Sequence, residues 1–435
     1  MSGHQIRPGD YSYSPDQQVI ADAERERLGA QLTALSHRDR FTLERNADRR
    51  LARAGWFDFA RGRHLAEHHA YVKDERLVHV LDRGTTEWSL ETAESADDTF
   101  YRRERTGAVQ TAPIHVVAEG SVIKGDSSPE RTDRRFTHSS AIVADIAEQP
   151  PARIAVIDTG LAKEKRSDAW LAEVPRTDAN RDELDGADDT PHRLDLGAGH
   201  GTFVAGVVQQ VCPSAQITMY KALDSDGVGR EDELATTLLQ AAADGHEIMT
   251  LSLGTDTADG EPPLALQLAM RRLAAEYPEV LVIAAAGNDG NDTEMWPAAF
   301  KNVVAVAALT AELQPTEWSS RGDWVSCSTV GEGIVSTFVD GTETAAAGGS
   351  VFGPSSWAMW SGTSFAAPQI AGAVARLLQA NRDAAWTPRQ AYEALLAAAP
   401  ALPGFGRVIR LLPGTARPAG FRFPVTTAAP APVQT

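Results

Sequence analysis

Cysteine is scarce in this sequence, with two among 435 residues, Cys212 and Cys327. Two cannot build a disulfide framework. That excludes the small stapled scaffolds of secreted domains and suits a reducing interior, with a single bridge between the pair left open as the alternative. Long apolar runs are missing as well. No 18 consecutive residues are apolar, so the sequence predicts no membrane-spanning helix. The start, Met1-Ser2-Gly3-His4-Gln5-Ile6-Arg7-Pro8, has no apolar stretch behind a basic one, so it reads as no secretory signal, and a cytoplasmic setting is expected. Positive charge is in deficit: 41 Lys and Arg stand against 59 Asp and Glu, a net charge of −18. Phosphate binding wants a basic face, so nucleic acid is excluded as the main partner. The acidity favours solubility and basic substrates, and a solvated acidic surface is its plainest account.

Hydrophobic residues make up 43% of the chain, enough at this length for one large domain and a second small one. Residues 1–125 read as a separate, smaller α+β region. Ser14-Pro15-Asp16-Gln17 fits a capping box with proline at the first helical position, and Val19, Ala23, Leu28, Leu32, Leu35, Phe41, Leu43 and Leu51 follow at roughly helical spacing, with Gly55 as the stop. Leu77–Leu81 and Ile114–Val117 read as strands. Residues 126–150 read as a polar connector. From 152 onward, apolar strands at Ile154–Ile157, Ile217–Lys221, Ile248–Leu251, Val280–Ala284 and Val303–Ala307 alternate with helical segments. Continuous apolar strands between helices predict a mainly parallel sheet covered on both faces, with functional groups at the strands' carboxyl ends. Thr387-Pro388-Arg389-Gln390 caps a further helix. Residues 413–435, rich in Ala, Pro and Thr, are expected to be a disordered tail.

Three segments carry chemistry: Ile154-Ala155-Val156-Ile157-Asp158-Thr159-Gly160, Gly199-His200-Gly201-Thr202-Phe203-Val204-Ala205-Gly206 and Ser361-Gly362-Thr363-Ser364-Phe365-Ala366-Ala367-Pro368. They supply an acid, a base and a nucleophile. A serine hydroxyl needs a histidine to take its proton, and a carboxylate must hold that histidine in the right tautomer. His200 lies 42 residues after Asp158 and Ser364 lies 164 after His200, so only folding can unite them. Taken singly, each has a plainer account: a turn or cap for Asp158, a solvated loop for His200 and a helix cap for Ser364. The segments at His200 and Ser364 are small and apolar, so both residues are expected to open buried helices, where the partial positive charge of a helix N-terminus favours a nucleophile.

These three segments, in the order Asp, His, Ser, resemble those of subtilisin-like (subtilase) serine peptidases. The likeness runs from about Ala152 to Ala399. It implies a subtilisin-like three-layer α/β/α domain over residues 151–412, with Ser364 as nucleophile, His200 as general base and Asp158 as orienting acid of a serine endopeptidase. Such an enzyme takes a polypeptide substrate and needs no cofactor. By the same likeness Asn288, at the end of the apolar run 280–286, donates its amide to the oxyanion; Asn-Asp-Gly also makes a good turn. The resemblance implies further that Gly227-Val228-Gly229 and Ser252-Leu253-Gly254 flank an extended substrate strand, as against a tight turn and a strand end.

Specificity is less determined. Asp289 and Glu294-Met295-Trp296-Pro297 fall where the family shapes its primary pocket. Met295 would make that pocket shallow and apolar, whereas Asp289 or Glu294 would attract Lys or Arg. The acidic run Asp178, Asp182, Glu183, Asp185, Asp188 and Asp189 reads as a solvated loop, with basic substrate residues or Ca²⁺ as alternatives, and its spacing does not fit an EF-hand loop. The helix after His200 passes from Val211 to Cys212 without the insertion that binds calcium in secreted subtilisins, so that strong site is expected to be absent and no metal is assigned. Residues 1–125 do not clearly match the family's inhibitory propeptide. They are read as a regulatory, docking or propeptide-like region, a route to a protein partner, with an intramolecular inhibitor or part of the folded core as alternatives, and the expectation is a regulated intracellular processing protease. Two rivals remain. His64-Leu65-Ala66-Glu67-His68 fits the H-x-x-E-H pattern of inverted zinc peptidases, with both histidines on one helix face. The other rival is a catalytically silent peptide-binding protein on the same fold.

Overall fold

The computed structural model describes residues 129–134, 149–184, 192–225, 227–257, 260, 262–343 and 349–415, together with the backbone of the strands Tyr13–Ala21, Leu51–Asp58, Arg63–Lys73, Arg76–Leu81 and Thr111–Ala118. The apolar runs become the strands β1 (Arg153–Asp158), β2 (Gln216–Lys221), β3 (Ile248–Leu251), β4 (Leu281–Ala285), β5 (Val303–Leu309) and β6 (Cys327–Val330). They lie parallel in the order β2-β1-β3-β4-β5-β6. A short hairpin, β7 (Ala401–Leu402) and β8 (Gly406–Val408), closes one side, with β8 parallel to β6.

Successive side chains of a strand point to opposite faces, and here each face is apolar and covered. Ile154, Val156, Ile283, Val304 and Val306 pack under helices α1 (His200–Val211) and α4 (Ala367–Ala380), against Phe203, Val207, Ile370 and Val374. Ala155, Ile157, Met249, Leu251, Val282 and Ala284 face α2 (Glu231–Ala243) and α3 (Leu264–Glu276), against Leu234, Leu238, Leu266 and Leu273. This is the expected three-layer α/β/α sandwich. The chain steps from β1 to β2 on one side and then to β3 on the other. A crevice therefore opens at the carboxyl ends of β1 and β3, the usual place for a site in such a sheet. Thr387 caps α5 (Pro388–Leu396) as predicted, its hydroxyl accepting from Gln390 N at 3.2 Å.

Some expectations are corrected. Ser364 does not open a helix. It lies in a 3-10 turn, Thr363–Phe365, one residue before α4, whose first turn contains Pro368. The described residues directly after Ser14 form no helix, because Tyr13–Ala21 is a strand, parallel to Leu51–Asp58 and antiparallel to Thr111–Ala118. Its register breaks between Tyr13 and Gln18, the stretch that contains Pro15, and proline has no N–H to give to a ladder. The strands read at 77–81 and 114–117 are present as Arg76–Leu81 and Thr111–Ala118. Within the stretch read as a connector, Glu130–Thr132 pairs antiparallel with Trp357–Trp360. Residues 22–50, and 416–435 of the tail, fall outside the described residues. Cys212 and Cys327 are both buried free thiols, so the single bridge does not form. Among the described residues no helix is long and apolar enough to cross a membrane.

Candidate active site

Asp158 is the last residue of β1, and His200 is the first of α1. Two glycines let these ends meet. Gly160 takes φ +117° and passes so close to the backbone of Asn180–Asp182 that an added methyl would lie 2.8 Å from Asp182 N. A side chain on Gly201 would strike the Gly160 carbonyl. With both absent, His200 Nδ1 comes within 2.7 Å of Asp158 Oδ1, which also accepts from Thr159 N at 2.8 Å. Asp158 is 0% exposed and His200 2%. The contact uses Nδ1, so a neutral imidazole held here presents its basic Nε2 to the other side.

Aromatic rings box in the imidazole. Trp360 meets it edge-on at 5.4 Å between centroids, and Phe365 lies at 5.5 Å. Phe365 follows Ser364 directly, so the turn that carries the hydroxyl also walls the base. Ser364 is buried, with its hydroxyl donating to the Ser252 carbonyl at 3.4 Å while its own carbonyl accepts from Ser252 Oγ at 2.7 Å. Asn288 lies just beyond β4. Its Oδ1 accepts from Thr363 N at 2.9 Å and Thr363 Oγ1 at 2.8 Å, which fixes the side-chain amide N–H groups as the donating end. The structure thus gathers Asp158, His200, Ser364 and Asn288 at the carboxyl edge of the sheet. Thr363, Trp360 and Phe365 escaped the sequence reading; Thr363 and Phe365 flank Ser364, and adjacency was their only signal.

Gly227 turns the chain at φ +76°, and Val228–Arg230 is a short strand. Thr111–Ala118 already pairs with it antiparallel, Val228 with Ala118, Gly229 with Val117 and Arg230 with Val116. Val117 is 0% exposed and shares an apolar cluster with Leu223, Leu234 and Leu253. Across the crevice run Ser252, Leu253 and Gly254. Met295 lies over Gly254 and Gly287: a methyl on either glycine would stand 2.7 Å from its Cγ or 2.9 Å from its Cε. It therefore occupies the space between these two backbones. Asp289, beside Asn288, is exposed to solvent, yet the protein packed around it and then the charge of Asp256 push its carboxyl up to about 6.

The acidic run splits. Asp182 is no solvated loop residue. It is buried, its Oδ2 accepting from Gly199 N at 2.8 Å and Thr159 Oγ1 at 3.3 Å, and burial pushes its carboxyl up to about 7, helped by the charge of Asp158. Asp185, Asp188 and Asp189 lie outside the described residues. Among the described residues no group of three or more His, Cys, Asp or Glu is placed to hold a metal. His64 and His68 both fall on the strand Arg63–Lys73, not on a helix. Four residues along a strand span about 13 Å, too far for one zinc ion to bridge them as the helical pattern would.

A parallel sheet covered on both faces, with an acid, a base and a hydroxyl at its carboxyl edge, defines a three-layer α/β protein with one polar site at the switch point of its sheet. A model described as the subtilase family, Peptidase_S8, matches residues 152–419, and the chain belongs to that family. It is 30% identical over 248 residues to the "Thermophilic serine proteinase" of Bacillus sp. (strain AK1), an overlap of 53% of each chain. It is 30% identical over 250 residues to "Thermitase" of Thermoactinomyces vulgaris, covering 55% of this chain and 79% of thermitase. The chain thus spans about half the length of the first of these relatives. The solved structure of a lanthipeptide protease is 25% identical at a TM-score of 0.48, covering 60% of this chain and 85% of its own.

Proposed function

We propose that this protein is a serine endopeptidase in which Asp158, His200 and Ser364 act as one unit. The contact that carries the reading is the 2.7 Å bond between His200 Nδ1 and Asp158 Oδ1, buried beside the Ser364 turn. Ser364 Oγ leaves the Ser252 carbonyl and bonds to the scissile carbonyl carbon while its proton passes to His200 Nε2. Asp158 steadies the imidazolium. The oxyanion takes hydrogen bonds from the Asn288 amide, a donor worth about 10²–10³ in turnover in subtilisin itself. His200 then protonates the leaving amine. Water, deprotonated by His200, attacks the acyl group, and the proton returns to Ser364.

The polypeptide lies beside Val228–Arg230 as an added strand, its affinity coming from main-chain hydrogen bonds. Residues 111–118 occupy that same edge, so the N-terminal region competes with substrate. The pairing of Val117 with Gly229, and the burial of Val117, support this reading of a regulated processing protease. The pocket crossed by Met295 favours a small residue before the scissile bond.

A fluorophosphonate probe, which reacts only with an activated serine, tests the assignment. Labelling of the pure protein that disappears in Ser364→Ala and in His200→Ala is expected. A protein that binds peptide yet takes no label would instead be a silent binding module.

A further inference from the structure

Asp182 contributes a second buried carboxylate beside the catalytic pair, and the reaction described above does not use it. It lies outside β1 and α1 but touches the residue that joins each to the site. Its Oδ2 accepts from Gly199 N, immediately before His200, at 2.8 Å, and from Thr159 Oγ1, immediately after Asp158, at 3.3 Å. Thr159 Oγ1 in turn accepts from Gly201 N at 3.1 Å, immediately after His200. Backbone bonds clamp the far side: Leu161 N donates to the Asn180 carbonyl at 2.8 Å and Asp182 N to the Leu161 carbonyl at 3.0 Å. A single oxygen therefore links the turn after the orienting acid to the turn before the base. Gly199, at φ +83°, needs that link, because its N–H lies at the start of α1 and Asp182 is the acceptor that takes it.

We propose that Asp182 is a positioning residue of the Asp158–His200 pair, holding the two turns in register and placing its own negative charge behind the base. The proposal rests on the reading of His200 as general base. The charged groups that act on Asp182 are Asp158 at the end of β1 and Lys221 at the end of β2, and the Gly199 N–H it accepts belongs to the residue directly before His200. Asp158 opposes ionisation of Asp182, and Lys221 favours it. Asp182 is pushed up to about 7, so it gains its charge across the range in which an ordinary imidazole loses its own. An ionised Asp182 favours the imidazolium, which raises the pH at which the base becomes available.

The test uses the full chain and the rate of fluorophosphonate labelling across pH 5–9, for the parent protein, Asp182→Asn, Asp182→Ala and Ser364→Ala. The amide in Asp182→Asn would still accept both bonds through its oxygen but carry no charge. Its acidic limb is expected to move down by roughly 1 pH unit, the lower end of the effect of a nearby charge. Asp182→Ala is expected to label more slowly at every pH, by about 10²-fold, the cost of a misplacement of roughly 1 Å. The conservative variant should recover most of that loss. An unmoved limb in Asp182→Asn overturns the electrostatic half of the proposal, and parent-like labelling by Asp182→Ala overturns the positioning half. Should the alanine variant fail to fold, the limb of Asp182→Asn alone decides. Labelling that survives in Ser364→Ala would instead sink the assignment of the nucleophile and leave the geometry around Asp182 as it stands.

Discussion

Asp158, His200 and Asn288 are each buried, and each is tied by hydrogen bonds to a segment far away in sequence. The edge proposed to bind substrate differs. Val228–Arg230 is three residues long, Val228 is 36% exposed, and its ladder partner comes from the N-terminal region. A buried polar group that loses its partner costs the full desolvation of that group. An edge strand that loses its partner exchanges one set of main-chain hydrogen bonds for another, from water or from peptide. The catalytic frame is thus built to resist change and the edge to accept an exchange.

Substitutions can break this comparison on either side. The largest effect is expected from Ser364→Ala, which should reduce peptide hydrolysis by about 10⁶-fold, the loss recorded when subtilisin itself is deprived of this hydroxyl. Asn288→Ala should lower kcat by about 10²–10³ with little change in KM, measured with a chromogenic peptide; an equal rise in KM would show that the amide binds the ground state too. Loosening the edge should act in the opposite direction. Val117→Asp gives up the burial of a valine, worth roughly 1.5–3 kcal/mol, and should speed peptide hydrolysis by about 10- to 100-fold. Slower or equal hydrolysis would mean that residues 111–118 do not compete with substrate.

How far this contrast could be read from the sequence follows the same line. Apolar runs buried on both faces announce a parallel sheet, because each strand must satisfy two cores; β3 falls on the predicted bounds and β4 starts one residue late. Asp158, His200 and Asn288 were legible because each lies at the end of such a run or at the first turn of a small-residue helix. Asp182 was not, because an acid in a polar stretch looks the same whether it faces water or receives two hydrogen bonds inside the protein. Nor was the strand over Ser14–Ala21, because capping residues favour a helix only where no sheet partner outbids it, and here Leu51–Asp58 and Thr111–Ala118 both pair with it. Local signals cannot report partners that lie so far along the chain.

Two smaller effects sharpen the contrast. Asp182 is pushed up to about 7, well above the ordinary aspartate value near 4. Between those values the folded state holds a proton that the unfolded chain has lost, so this group removes stability as pH rises from about 4 to about 7. Asp182→Asn escapes that loss. Its melting temperature relative to the parent should therefore climb over that interval and level off above pH 7; a difference independent of pH would contradict the shift. Finally, Met295→Ala should widen the range of residues accepted before the scissile bond. A peptide-library digest of the parent and the variant would read it.

If substrate takes the edge held by Val117 and Gly229, their ladder also sets a threshold. A tethered strand competes at an effective concentration of the order of millimolar. A free peptide with micromolar affinity for the bare edge would then appear about a thousandfold weaker. Only a substrate delivered close by, or a second protein that pulls the tethered strand aside, would be cut at ordinary cellular abundance. Selectivity would then come from who can win the edge, before any side chain is inspected.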